Sequence, residues 1–555
     1  MTSRRDVLQL FLGAPLAVAA CKRKATAAPV PGVLVDALEK QGHRLRDEVC
    51  THVPEAHGEV VDVLIVGGGI AGLAARARLA ASGLRVVLLD ADAVTGGTSK
   101  SGENQGGKHP WGAHYITAPL PEARPIVRLL EELGVVTGRL PDGEPVLAEE
   151  AVVRAPEERL FHLGRWEDGL YPRAGASAED LEEFGRFRTE VARWAVLRDG
   201  RGRRAFIAPL GLGSDDATFL ALDTLTMSDW LLREGYRSPR LRWLIDYACR
   251  DDFGLHVEQA SAWAGLFYFA ARLGADGAAR TVIPWPEGNG RLAAHLLTKG
   301  RGAVQSKVFV RRVIPGKSDA PSDAASDAPG VATGVATVVA EDASGVLAAW
   351  RARRVLMAIP SFIARRVVDG FAAHAGNEPV PSYGSWVVAN VVVRRDFERE
   401  EPSIAWDNVI HRSPSLGYVH ARHQLDGHSD YLTLTHYYAL CDDDPKAVRE
   451  KLLAIDHARW CDVVLSDLEV PHPRIREHVV RIDVQRWGHA MVRPVPGART
   501  HAARAGRPKA FHNVYFAHTE QSAIALFEEA YWQGIRGAED ILASLSMESP
   551  SELTA

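Results

Sequence analysis

Cysteine is scarce. The 555 residues contain five (Cys21, Cys50, Cys249, Cys441 and Cys461), scattered and never spaced as CxxC or CxxCH. Zinc ribbons, dithiol redox motifs and attached c-type haem need such spacing and have no support, so the core must be held by packing. A basic stripe is also missing: 65 Lys and Arg stand against 70 Asp and Glu, a formal net charge of -5. Nucleic-acid binders neutralise phosphates with clustered cations, so small-molecule chemistry is the better expectation. The apolar stretch from Leu10 to Ala20 is shorter than the roughly 20 residues a membrane helix needs. Composition is otherwise globular, 46% hydrophobic and 24% charged. At about 150 residues per domain, the length allows three or four domain-sized units or one large discontinuous two-domain enzyme.

The first thirty residues read as an address. Ser3-Arg4-Arg5-Asp6-Val7-Leu8-Gln9 precedes the uncharged apolar run, which resembles a twin-arginine export signal and is left out of the fold. Val18-Ala19-Ala20-Cys21 resembles the lipobox of bacterial lipoproteins, whose cysteine becomes the acylated first residue, while Ala17-Val18-Ala19 suits ordinary signal peptidase. The expectation is a protein handed to the twin-arginine export machinery. Its destination is the periplasm or, with a lipid anchor through Cys21, the extracytoplasmic membrane face. That route carries folded proteins, as a tightly held cofactor requires. Residues 31–59 are expected to form a flexible lead.

The pattern sharpens at Val61-Asp62-Val63-Leu64-Ile65-Val66, a run suited to a buried parallel strand, which enters Gly67-Gly68-Gly69-Ile70-Ala71-Gly72. Ile70, Leu73, Ala74, Ala77 and Ala81 share one helical face up to Gly83, and a second strand, 85–89, ends at Asp90. Each part of this GxGxxG unit has a task. Gly67 permits the tight turn, Gly69 lets backbone approach a pyrophosphate, and Gly72 lets helix and sheet close. The helix N-terminus offers N–H groups to phosphates, and Asp90 accepts hydrogen bonds from an adenosine ribose.

Beyond the acid lie Gly96-Gly97-Thr98 and a glycine-rich stretch from Gly106 to Ile116. With them the segment resembles the flavin amine oxidase superfamily, whose FAD region has the acid, a spaced glycine pair and a glycine-rich approach to the isoalloxazine. The resemblance implies Gly96, Gly97 and Thr98 at the cofactor. Thr98 stands where the family has arginine, and Lys100 and Lys108 are candidates for that contact. The resemblance continues at 286–292 and at 308–314, where Val310 would meet adenine through its backbone, and at 353–360, the strand re-entering the FAD sheet. It ends at 513–520, followed by a helix over 523–545, where Glu520 would be the acid closing over the ribityl chain and pyrophosphate. The wording is nearest the spermidine dehydrogenase branch. The fold implied is α/β: a discontinuous Rossmann-like FAD-binding domain (60–116, 281–360 and 481–546) plus an α+β substrate domain (117–280 and 361–480), a mixed sheet with a helical lid, before a tail at 547–555. FAD is expected to be non-covalent, since no cysteine follows Cys461.

In the substrate regions, 181–198 and 227–249 read as amphipathic helices, 386–393 and 431–435 as strands, and 317–334 as a solvated loop. Asp252-Phe253-Gly254 spells the kinase metal triplet without its companions and reads as chance; no metal site is expected. The family's chemistry moves a hydride equivalent from a carbon beside an amine nitrogen to flavin N5. That chemistry suits aromatic walls, which orient a deprotonated amine and attract a second cationic one. Trp487 matches the tryptophan preceding the last FAD segment. Tyr437, Tyr438 and His114 are further candidates, and His489 is a proton acceptor or a backbone partner. No counterpart of the family's flavin-proximal lysine stands out. The reading is an exported FAD-dependent oxidoreductase acting on an amine, polyamines included. Carotenoid-desaturase-like oxidation of an apolar substrate and a non-catalytic FAD-holding lipoprotein are the alternatives.

Overall fold

The structure, a computed structural model, describes residues 29–554 apart from 36–37, 57, 317–333, 401–403, 422, 424–428, 442–443 and 505–508. The export signal at Arg4 and Arg5, the lipobox at Cys21 and nearly all of the 317–334 loop lie outside the described residues.

Val61–Val66 runs between two parallel neighbours, Val86–Asp90 and the second half of Leu347–Met357; Ala303–Ser306 and Val514–Phe516 extend the parallel sheet on either side. Covered on both faces, such strands need continuous apolar sequence, and Val63, Leu64, Ile65, Leu88 and Leu356 are fully buried. The first half of Leu347–Met357 leaves this sheet to pair antiparallel with Ala336–Glu341, which pairs in turn with Phe309–Ile314. One long strand therefore serves both arrangements, beginning at Leu347 rather than near 353. Helices Gly290–Lys299, Ile70–Leu79 and Phe527–Ser544 cover one face of the parallel sheet. A Cβ on Gly534 would stand 2.2 Å from the Ala71 carbonyl oxygen, so the C-terminal helix can close on the nucleotide helix only through glycine. That C-terminal helix starts later than 523 because Thr519–Gln521 forms a separate turn and Ala523 adopts a left-handed conformation.

A second sheet has the order Leu34–Val35, Val479–Val492, Tyr383–Arg394, Tyr431–Leu440, Tyr418–His420, Asp407–Ile410, Glu158–His162 and Arg165–Asp168. Strand alternation sends Trp386, Val388, Tyr437 and Trp487 to one face and Val387, Tyr438 and Val484 to the other. Helices Pro445–Ala454 and His457–Leu468 cover the second face. The helical part contains Ala178–Val196, Met227–Arg233, Pro239–Phe253 and Ala262–Ala270. The stretch 227–249 breaks where one helix was expected: Gly235 takes φ +76°, and Ser238 caps a new helix with Pro239 in its first turn.

Residues 31–59, expected as a flexible lead, make specific contacts with both sheets. Leu34–Val35 pairs in parallel with Val484 and Gln485, and Arg44 on helix Glu39–Asp47 reaches Glu341 at 2.6 Å.

Beneath the second sheet, Asp467 accepts from Ser413 and Ser415, each at 2.5 Å, and lies 2.9 Å from His436 Nε2. Burial pushes the Asp467 pKa upward. The His436 bond and charge and the serine hydroxyls outweigh that push and hold it below the ordinary value. A lowered folded-state pKa contributes stability that is present above the unfolded value, near 4, and lost as pH falls below it. Asp467→Asn is expected to lower stability by about 2–4 kcal/mol at neutral pH, with a smaller deficit below pH ~4. Urea unfolding at both pH values checks this; equal midpoints for the two proteins at neutral pH would contradict it.

Candidate functional site

The nucleotide turn sits at the carboxyl ends of the parallel strands, where ligands of open α/β sheets bind. Gly67 takes φ +103°, a region that a side chain strains, and its N–H donates to Leu89 O at 2.8 Å. A Cβ on Gly72 would stand 1.9 Å from Gly67 O, so this glycine serves helix-to-turn packing. Gly69 differs. Within 4 Å its Cβ would meet only Gly97 Cα, at 4.0 Å, and a Cβ on Gly97 would lie 3.2 Å from Gly69 Cα. Gly69 and Gly96 are bridged, so two glycine loops face each other across a bare backbone cradle of the kind a pyrophosphate fills.

Asp90 closes one end of this cradle. Burial pushes its carboxyl up to about 6, against the Asp92 amide at 3.1 Å. Its backbone O accepts from Val308 N at 2.9 Å, two residues before Val310. Thr98 is exposed; its carbonyl holds Ala113 N at 2.9 Å. Lys108 is exposed too, whereas Lys100 is buried, ion-paired to Asp92 at 2.7 Å with Nζ 5.0 Å from the Trp487 ring centre. Glu520 reaches this edge from the C-terminal segment, but both oxygens have partners: Ser361 N at 2.9 Å and the Tyr383 hydroxyl. Its visible task is to tie the crossover 358–361, which packs on Gly67, to the second sheet.

The aromatic candidates separate by strand face. Trp487 Nε1 donates to Trp111 O at 2.6 Å and Tyr437 Oη donates to Gly112 O at 2.9 Å. Two consecutive carbonyls thus seat the two rings. His114 stacks on Tyr437 with centroids 4.5 Å apart and meets Tyr115 at 4.9 Å and Trp406 at 5.7 Å. Burial holds the His114 pKa down at about 3, so the ring is neutral at working pH. Tyr438 points the other way, into the core under the helices, because neighbours on a strand alternate; the expectation for it is corrected. His489 lies two residues beyond Trp487 and packs on Phe362 at 4.7 Å and Tyr383 at 5.8 Å. Its side chain is exposed, yet surrounding protein and then the Arg449 charge push its pKa below the ordinary value.

Past the aromatic wall lies a group of carboxylates that sequence reading missed. Asp407 and Glu158 are register partners on parallel strands, and Tyr247 Oη stands 3.4 Å from Asp407 Oδ2. Burial, then the charges of Asp251 and Glu158, raise the Asp407 pKa well above normal; burial and then Glu157 push Glu158 up to about 7. Glu158 keeps accessible surface while protein surrounds it, the combination expected of a carboxylate lining a cleft. Asp251 is raised by burial and by Asp252. Asp252 itself binds Arg272, both oxygens at 2.8 Å. The triplet read as chance therefore contributes its acid to this cluster, and Gly254 ends the helix. Among the described residues, Asp246, His256 and Glu258 have cation-like spacing, but Arg250 and Arg242 already pair its carboxylates. Cys50, Cys249, Cys441 and Cys461 are free thiols.

Comparison with known proteins agrees with this geometry. The NAD(P)-binding Rossmann-like domain family matches residues 65–133. Amine oxidase [flavin-containing] B of Cavia porcellus is 44% identical over 84 residues, 15% of this chain and 16% of that protein. Peroxisomal N(1)-acetyl-spermine/spermidine oxidase of Bos taurus is 42% identical over 100 residues, 17% of this chain and 18% of that protein. The chain thus aligns with less than a fifth of the length of these curated relatives. In fold the agreement is broad. Putrescine oxidase bound to putrescine superposes with TM-score 0.62 at 17% identity, covering 87% of this chain and 99% of that one. Cyclohexylamine oxidase from Brevibacterium oxydans gives TM-score 0.60 at 17% identity, covering 88% and 100%. The chain has the fold of these solved amine oxidases and is similar in sequence to flavin-containing amine oxidases over its first nucleotide segment.

Proposed function

We propose that this protein is an FAD-dependent oxidoreductase that oxidises an amine carrying a second cationic group. The observation that carries the reading is the continuity from bare glycine cradle to aromatic wall to buried carboxylates. The residues fit the cofactor: Gly69 and Gly97 leave the space a pyrophosphate takes, and Asp90 is a buried carboxylate at the ribose end. Val308, two residues before Val310, donates its N–H to Asp90 O. FAD, when bound there, supplies the acceptor for a hydride equivalent from the carbon beside the amine nitrogen.

The chain's own residues do the rest. His114 is neutral and backed by the Tyr437 ring, so it orients an amine without repelling it, and Tyr437 and Trp487 have their polar ends already bonded to backbone. Asp251 and Glu158 both press their charges on the buried Asp407, which favours a cation beside it; an ammonium group supplies that cation. The aromatic and acidic lining favours this reading over an apolar polyene substrate. Twin-arginine export, with or without a lipid anchor at Cys21, belongs to the same proposal and rests on residues 1–28 alone. Replacing Arg4 and Arg5 with Lys tests it, and undiminished extracytoplasmic protein would refute it.

The deciding experiment is an amine panel on flavin-loaded protein, following anaerobic bleaching and then reoxidation by oxygen. Diamines are expected to bleach the flavin at lower concentration than monoamines of equal length. Since the carboxylates carry raised pKa values, KM for a diamine should fall as pH rises through about 7, where Glu158 ionises. A KM flat from pH 6 to 8 contradicts the carboxylate assignment.

A further inference from the structure

The Asp252 pair does more than cancel a charge. Arg272 directs one guanidinium nitrogen to both Asp252 oxygens at 2.8 Å and, from the same nitrogen, reaches the Tyr115 hydroxyl at 3.3 Å. A second nitrogen donates to Tyr268 O at 2.6 Å, and the guanidinium carbon sits 4.1 Å from the Tyr268 ring centre. The group is thus held on several sides and one-fifth of its side chain is accessible. Tyr115 in turn meets His114 at 4.9 Å and Trp406 at 5.5 Å, both edge to face. Its hydroxyl end is fixed by the arginine, its ring by the wall.

We propose that Arg272 is a positioning residue of the amine site, clamping Asp252 and the hydroxyl end of Tyr115 so that the His114–Tyr115–Trp406 wall meets the incoming amine at one angle. This deepens the amine reading and rests on it. Two consequences follow from the chemistry. Arginine's planar fork serves several acceptors at once, so lysine at 272 keeps the charge but loses part of the clamp. The charge also separates the acids: Arg272 pairs Asp252 directly and acts on Asp251 through space, while Asp407 is left for the substrate. Glu528, in the first turn of the C-terminal helix, is close enough to feel Arg272 and Asp252, and burial pushes it up to about 7.

The test is steady-state kinetics with 1,4-diaminobutane on flavin-loaded wild type, Tyr115→Phe, Arg272→Lys and the double variant, with Arg272→Met for the charge. Tyr115→Phe removes one hydroxyl and leaves the buried ion pair intact, so it remains informative if the arginine variants fold poorly. Tyr115→Phe and Arg272→Lys should each raise KM about five- to tenfold with kcat within about twofold. The double variant should be no worse than the worse single one, because both break one clamp. Arg272→Met should in addition move the acid limb of the pH profile to higher pH, since losing the positive charge raises the neighbouring carboxyl pKa values. An active wild type with unchanged KM in Tyr115→Phe, or effects that multiply in the double variant, overturns the clamp and leaves the amine reading standing. A wild type whose flavin spectrum responds to no amine removes both.

Discussion

Gly69→Val is expected to give a folded protein that emerges without FAD. The backbone at Gly69 has φ -70° and ψ 179°, a conformation open to valine, so the substitution carries no intrinsic strain. Nothing of the protein closer than the Gly97 Cα opposes its Cβ, so the side chain enters the space that a pyrophosphate would take. The contrast is Gly72, where a Cβ would stand 1.9 Å from the Gly67 carbonyl oxygen and the turn itself would have to move. Gly69→Val should therefore unfold near the wild-type apoprotein in a thermal melt while losing flavin absorbance. A yellow, stoichiometrically loaded variant would dismiss the cradle.

Asp407→Asn is expected to remove selectivity for a second ammonium group. A buried charge-assisted pair contributes about 2–3 kcal/mol, so kcat/KM for 1,4-diaminobutane should fall roughly 30- to 150-fold. A monoamine of similar length should change less than about threefold, because it does not reach this end of the cleft. Fold integrity is not at stake, as Asn keeps the volume and can still accept from Tyr247. Equal losses for both substrates would assign Asp407 to the scaffold instead. The same variant should keep the pH dependence of KM near 7, since burial and Glu157 rather than Asp407 raise Glu158.

The two halves of the site differ in how far the sequence reveals them. The nucleotide half is local: strand, turn, helix and acid lie within 61–90, and each glycine has a backbone reason visible in its spacing. The tryptophan at 487 and the tyrosine at 437 came from resemblance, and the structure brings both to adjacent carbonyls of 111 and 112. Period-two alternation already forbids Tyr437 and Tyr438 from sharing a face, but only the structure says that Tyr437 is the one on the aromatic side. Thr98 and Lys108 are exposed and Lys100 is turned to Asp92, a distinction that needed the loop's path.

Asp251, Asp407, Glu158 and Arg272 left no mark in the sequence. They lie on a helix end, two strands and a loop, and no spacing rule joins them. The sequence alone determined that the chain makes a dinucleotide turn, since close backbone approach and helix packing act over a few residues and tolerate only glycine there. Tertiary structure alone decided which carboxylates gather beyond the aromatic wall. Charge and burial act through space, and a carboxylate's pKa depends on neighbours that the fold selects from three distant segments.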